Sequence, residues 1–199
     1  SNGRRIRNRY MKFDDVEKYY PIIEKVSEDI TIPKYASQLI YLTSSNFNSE
    51  IESSIMYSII QKLPKRADVY WLIHVDVTDE PFTMEYKVDS LITGKLIRID
   101  FRLGFRVEQR INVLFRKVVE DMVKNGEVNI TSRYSSLSEH NIAGDFRFVV
   151  LEKVMSTSYS LPFIERCTMV DDQILKTFCV AEEKGFGLDL SFVTVEKVP

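Results

Sequence analysis

The sequence lacks a long apolar run. Its longest uninterrupted stretch is Val69-Tyr70-Trp71-Leu72-Ile73, whereas a helix that crosses a membrane needs roughly 20 such residues. These 199 residues are therefore expected to contain no bilayer-spanning helix, and no signal-peptide pattern is present. Cysteine is scarce: Cys167 and Cys179 fall in one predicted helix. Twelve helical residues separate them by about 18 Å, and a disulfide needs Cα atoms within about 7 Å. They are read as reduced thiols, which suits a cytosolic setting. His74 and His140 are the only histidines, and no zinc-ligand spacing occurs. There is no Gly-Lys-Ser or Gly-Lys-Thr to hold a nucleotide phosphate, and no Gly-x-Ser-x-Gly nucleophile elbow. An overall basic field is also missing: the formal charge is −2, which argues against a nucleic-acid partner.

What remains is an ordinary globular composition, 44% hydrophobic and 28% charged, enough for one domain with a sizeable core. The charge is unevenly placed at the front. Arg4, Arg5, Arg7, Arg9 and Lys12 precede any acidic residue, with Ile6, Tyr10 and Met11 among them. From Asp14 the sign reverses. Such a run fits a solvated tail, a nucleic-acid contact, a membrane-surface segment, or the cytoplasmic flank of a transmembrane helix. Residues 14–29 then read as a lead-in helix capped by Asp14 and kinked at Pro21. This divides the chain into a basic segment with its lead-in helix, 1–30, and an α/β domain, 31–199.

Within that domain the periodicities alternate. Gln38–Thr43 and Asp68–Val77 are near-continuous apolar runs and read as buried strands. Between them, Ser49 and Glu52 have capping-box spacing ahead of Ile51, Ile55, Met56, Ile59, Ile60 and Leu63 on one helical face, with Pro64 as the stop. Strand, helix and strand in about 40 residues predict a parallel pair. Met84–Leu91 and Lys95–Leu103 alternate about Thr93-Gly94 and read as a hairpin with one wet face. Ile111, Leu114, Phe115, Val118, Val119 and Met122 mark a long helix ended by Asn125-Gly126. A short strand is expected at 128–131, a polar loop at 132–144, a strand at 145–153, a helix at 162–182 and a last strand at 192–195. The whole predicts a single α/β domain with a mixed, partly parallel sheet flanked by helices.

Chemistry is sparse. His74 lies near Asp76, Asp79 and Glu80, but the last two belong to a turn where acids serve the backbone, so no catalytic residue is assigned. Gly185-Phe186-Gly187 follows a predicted helix and reads as its closing turn. The best ligand candidates are Thr43, Ser44 and Ser45, at the carboxy end of a strand where α/β sheets bind ligands. Arg98, Arg102 and Arg106 lead from the hairpin to a helix start, a setting that can hold phosphate, and Arg133-Tyr134 could stack on a base. No metal site and no cofactor is expected.

Three stretches carry a family resemblance. They are Ile32-Pro33-Lys34-Tyr35-Ala36 through Thr43, then Tyr70-Trp71-Leu72-Ile73-His74-Val75-Asp76-Val77-Thr78-Asp79-Glu80-Pro81, then Phe101-Arg102-Leu103-Gly104-Phe105-Arg106-Val107-Glu108 through Asn112; Phe146–Lys153 continues them. In this order they resemble the carboxy-terminal domain of the KUP family of potassium uptake permeases. Pro64–Asp68 and Ile130–Tyr134 are similar to the branch in lactic acid bacteria and their relatives. The resemblance implies a regulatory domain on the cytoplasmic face of the cell membrane, covalently attached behind a transmembrane, proton-coupled permease domain. Arg4, Arg5, Arg7, Arg9 and Lys12 would then be juxtamembrane. It also implies a cyclic dinucleotide, cyclic di-AMP, as effector. The alternatives are a homodimerisation module of the same transporter and a free-standing nucleotide-binding protein.

Overall fold

The computed structural model describes residues 12–108, 110–151 and 192–196. Eight strands are placed among them: β1 (Phe13–Asp15), β2 (Lys34–Leu42), β3 (Glu50–Glu52), β4 (Arg66–Thr78), β5 (Met84–Ile92), β6 (Leu96–Gly104), β7 (Phe146–Leu151) and β8 (Phe192–Glu196). Four α-helices join them: α1 (Tyr20–Glu28), α2 (Ser53–Ile60), α3 (Ile111–Lys124) and the single turn α4 (Ser135–Ser138). Six strands form one sheet in the order β5-β6-β4-β2-β7-β8. Only the β5–β6 hairpin is antiparallel; β6–β4, β4–β2, β2–β7 and β7–β8 are parallel. The mixed, mostly parallel sheet of the expected α/β fold is therefore present.

The central strands are buried because both faces of the sheet are covered, which is why β2 and β4 read as apolar runs rather than alternations. In-register partners share a face, so Ile40 and Trp71 lie together with Phe148. Helix α3 lies over this side. Its Phe115 ring meets Trp71, Phe148 and Phe146 edge-on at centroid distances of 5.2, 5.7 and 6.1 Å. The indole nitrogen of Trp71, buried in the same layer, donates to Gln38 Oε1 at 2.8 Å. The polar handle of the largest core side chain is thus satisfied without water. Tyr41, one residue away, points to the opposite face, where its hydroxyl shares a 2.8 Å hydrogen bond with Ser58 of α2. Burial pushes the Tyr41 phenol well above its ordinary pKa. Helix α1 packs against β4, with Ile23 in the core and Ser27 donating to the Ala67 carbonyl at 2.8 Å.

Several local expectations change. The lead-in is a strand, a 3-10 turn (Val16–Tyr19) and then α1, rather than one kinked helix. Asp15, not Asp14, caps the turn by accepting from Glu17 N at 3.0 Å. Pro21 opens α1 instead of bending it, as a residue without an N–H can. Asp14 sits in β1 and accepts from the Tyr19 hydroxyl, the Ser53 hydroxyl and Lys18 Nζ. The Val128–Thr131 strand shrinks to one bridge, Thr131 to Ala143. Helix α3 ends as read, with Asn125 as cap and Gly126 at φ +71°. The predicted helix 162–182, its two cysteines and the Gly185–Gly187 turn lie outside the described residues.

Gly104 ends β6 against the loop that follows β4. A Cβ there would stand 2.5 Å from the carbonyl oxygens of Glu80 and Pro81, so only glycine fits.

Phe115→Ala is expected to cost about 3–5 kcal/mol, since three rings lose their common neighbour; urea unfolding followed by Trp71 fluorescence measures it. The Asp14 carboxyl is held below the ordinary aspartate pKa, first by Tyr19, then by Ser53 and Lys18. A folded pKa below the unfolded one stabilises above the unfolded value, and that contribution disappears as pH falls through the folded one. Carboxyl NMR titration should show Asp14 ionising at lower pH than an ordinary aspartate, and Tyr19→Phe should move it upward.

A buried carboxylate and arginine at the carboxy end of the sheet

Strand β2 ends at Leu42, and Thr43, Ser44 and Ser45 begin the loop leading to β3. Four of the loop's donors converge on one carboxylate, that of Glu52, which is 0% exposed. Thr43 Oγ1 donates at 2.9 Å, Ser44 N at 2.5 Å, Ser44 Oγ at 2.7 Å and Ser45 N at 3.0 Å. This overturns the capping box expected at Ser49 and Glu52. Residues 50–52 instead pair antiparallel with Phe13–Asp15 as a separate two-stranded sheet. Glu52 then stands at the N-cap position of α2 but makes no cap bond, because its side chain turns back to the loop. Two backbone amides and two hydroxyls in a dry pocket outcompete one helix-end amide for a charge.

The loop is held from its other side by Arg98, which is 1% exposed. Its guanidinium donates to the carbonyls of Ser45 and Phe47 at 2.5 and 2.9 Å. It also forms a forked pair with Asp100 at 2.8 and 3.1 Å. Beside it, His74 Nδ1 lies 3.0 Å from the Thr43 carbonyl and Nε2 lies 3.1 Å from Asp76. Thr43, Glu52, His74 and Arg98 thus form one buried polar cluster whose donors and acceptors serve each other.

The structure places Thr43, Ser44 and Ser45 beside Arg98, which the sequence pattern groups with Arg102 and Arg106 instead. It separates the others. Arg102 is exposed on the β5–β6 hairpin, 3.5 Å from Glu85. Arg106 stacks over the Phe105 ring at 5.8 Å. Tyr134 lies at the amino end of β2, under Lys34 Nζ at 4.7 Å, and Arg133 faces the carbonyls of Asn129 and Thr131. The Lys12 backbone carbonyl accepts from Ser53 N at 2.9 Å, and Arg4, Arg5, Arg7 and Arg9 lie outside the described residues. Sequence reasoning missed Glu52 and Asp100. Period two on a strand places Asp100 beside Arg98 and could have found it. Nothing in the pattern announces that Glu52 turns backward.

Arg98 also departs from the wet-face expectation: the outer half of the hairpin is solvated, but Arg98 lies under the loop. Among the described residues there is no cluster of metal-ligating side chains and no helix long and apolar enough to cross a membrane.

A family model described as the K+ potassium transporter C-terminal domain matches residues 36–194. The chain belongs to this family. The buried cluster accordingly lies inside the potassium transporter C-terminal domain, and all of its residues fall within the matched span. Curated relatives agree. The probable potassium transport system protein Kup of Cytophaga hutchinsonii is 55% identical over 98% of this chain. Its namesake in Flavobacterium psychrophilum is 47% identical over 99%, and that of Enterococcus faecalis 38% over 92%. The chain spans 30%, 30% and 28% of these three proteins' own lengths. No solved structure matches the chain.

Glu52→Ala should orphan the loop's buried donors and cost on the order of 3–5 kcal/mol. Glu52→Gln keeps one acceptor oxygen and should lose clearly less. Urea midpoints of the two variants test this, and equal midpoints would contradict the assigned role of the charge.

Proposed function

We propose that this domain regulates a potassium uptake permease to which it is covalently joined, without conducting the ion itself. The observation that carries the reading is its membership of the potassium transporter C-terminal domain family, over a span that makes up less than a third of the Kup relatives. In this reading Arg4, Arg5, Arg7, Arg9 and Lys12 are the cytoplasmic flank of the last membrane helix, where positive charge is favoured. Proton-coupled transport belongs to the membrane part.

The effector we assign is a cytosolic anion of the cyclic dinucleotide class. What supports an anion is the donor set: two amides and two hydroxyls gathered at the carboxy end of β2, a position α/β sheets use for ligands. Glu52 fills that set in the resting domain, so a phosphate acts by competing with it. Release of Glu52 frees β3 and hence its partner β1, the first described element after the basic segment. An effector regulates only by binding two states unequally, typically by about 1–3 kcal/mol.

Potassium uptake in a bacterial strain without its own importers tests the reading. The full-length permease should respond to cyclic di-AMP by about fivefold or more. A permease ending after Lys12 should still take up potassium and should lose that response. Equal uptake by the two proteins, with and without the nucleotide, sinks the regulatory assignment. Calorimetry on the domain reports the effector separately, since absence of heat removes the dinucleotide and leaves regulation standing.

A further inference from the structure

At the carboxy end of β6, opposite the hairpin turn at Thr93-Gly94, the domain has a tip that exposes aromatic side chains on a well-braced support. Phe82 is 70% exposed and Phe105 is 48% exposed. They belong to facing segments tied by three backbone hydrogen bonds: Gly104 N to Thr83 O at 2.7 Å, Phe105 N to Glu80 O at 3.2 Å and Arg106 N to Pro81 O at 2.9 Å. Thr83 Oγ1 adds a bond to the Glu80 carboxylate at 2.9 Å. The glycine at 104 lets the two backbones touch. Two large apolar groups are therefore held out in water by a preorganised loop, which is how an interface anchor is built, because little ordering cost remains on binding.

We infer that this tip is the face by which the domain docks on the basic cytoplasmic loops of its own membrane part, a proposal that rests on the permease reading above. Charge selects the occupant. The exposed acids Asp76, Asp79, Glu80, Glu85 and Glu108 around the tip outnumber Arg102, Arg106 and Arg110. An anionic lipid surface would be repelled. In a two-fold pairing of this patch with itself, acid would meet acid. Cytoplasmic loops of membrane proteins carry excess Lys and Arg, which complement it. Connectivity agrees. Phe13–Asp15 pairs with β3, which follows the loop at the carboxy end of β2, so the chain arrives at the same end of the sheet as the tip. From Lys12 back to Arg4 is eight residues, a reach of at most about 28 Å. In this reading the tether therefore holds the entry strand, and with it this end of the sheet, near the membrane part.

Hydrogen exchange on the full-length permease, in detergent or nanodiscs, compared with the 199-residue chain alone, tests the inference. Segments 79–85 and 104–108 should exchange about tenfold more slowly in the full-length protein, and the difference should shrink in high salt. Phe82→Ser with Phe105→Ser should abolish the difference. The same pair of changes should shift the urea midpoint of the chain alone only slightly, since Phe82 is mostly exposed and Phe105 half-exposed, so misfolding does not mimic the result. Equal exchange in the two proteins overturns the proposal. So does protection of the chain alone that grows with its concentration, which means a second copy. So does protection by vesicles of anionic phospholipid. Failure of the full-length protein to take up potassium would instead remove the permease reading, and that assay is independent of exchange at the tip.

Discussion

A carboxylate without water must be surrounded by donors, and the carboxy end of this sheet is arranged around one such group. Glu52 gathers the amides of Ser44 and Ser45 with the hydroxyls of Thr43 and Ser44. Arg98 fastens the carbonyls of the same loop from below. Because Glu52 belongs to β3, it also fixes where β1 lies, and so where the chain joins the domain. Removing water makes each of these bonds stronger and the lack of any one more costly. The loop, the two-stranded sheet and the start of α2 therefore hold together as one unit.

Much of the fold was legible because both sheet faces are covered. Near-continuous apolar runs announced β2 and β4, alternation announced the hairpin, and the spacing from Ile111 to Met122 announced α3. The errors share a cause. Asp14, Ser49 and Glu52 match local helix-start patterns, yet each side chain or backbone is taken by a partner distant in sequence: Asp14 by Ser53, Glu52 by Ser44, Ser49 O by Val16 N. Local propensity is a weak prior when a buried charge offers better partners. The site was half legible for the same reason. Thr43 to Ser45 follow from strand order, whereas the carboxylate they hold depends on β1 pairing with β3, which three-residue strands do not reveal in sequence.

The family assignment and the geometry meet at a domain without visible chemistry among its described residues. The polar groups of the buried cluster are bonded to one another and to the loop, and His74 serves the Thr43 carbonyl and Asp76. Strand β1, through β3 and Glu52, and the tip that follows β6, through Arg98, both connect to the buried cluster.

The outermost strand of the hairpin carries a last consequence. Strand β5 ends the sheet, and along it Glu85, Lys87 and Asp89 alternate with Met84, Tyr86 and Val88. Opposite signs at every second position make unplanned strand addition expensive, since an incoming strand must match each charge in register. The sheet can therefore stay unfinished on that side in crowded surroundings without seeding fibres, and its growth is limited by an ionic fence rather than by a covering helix.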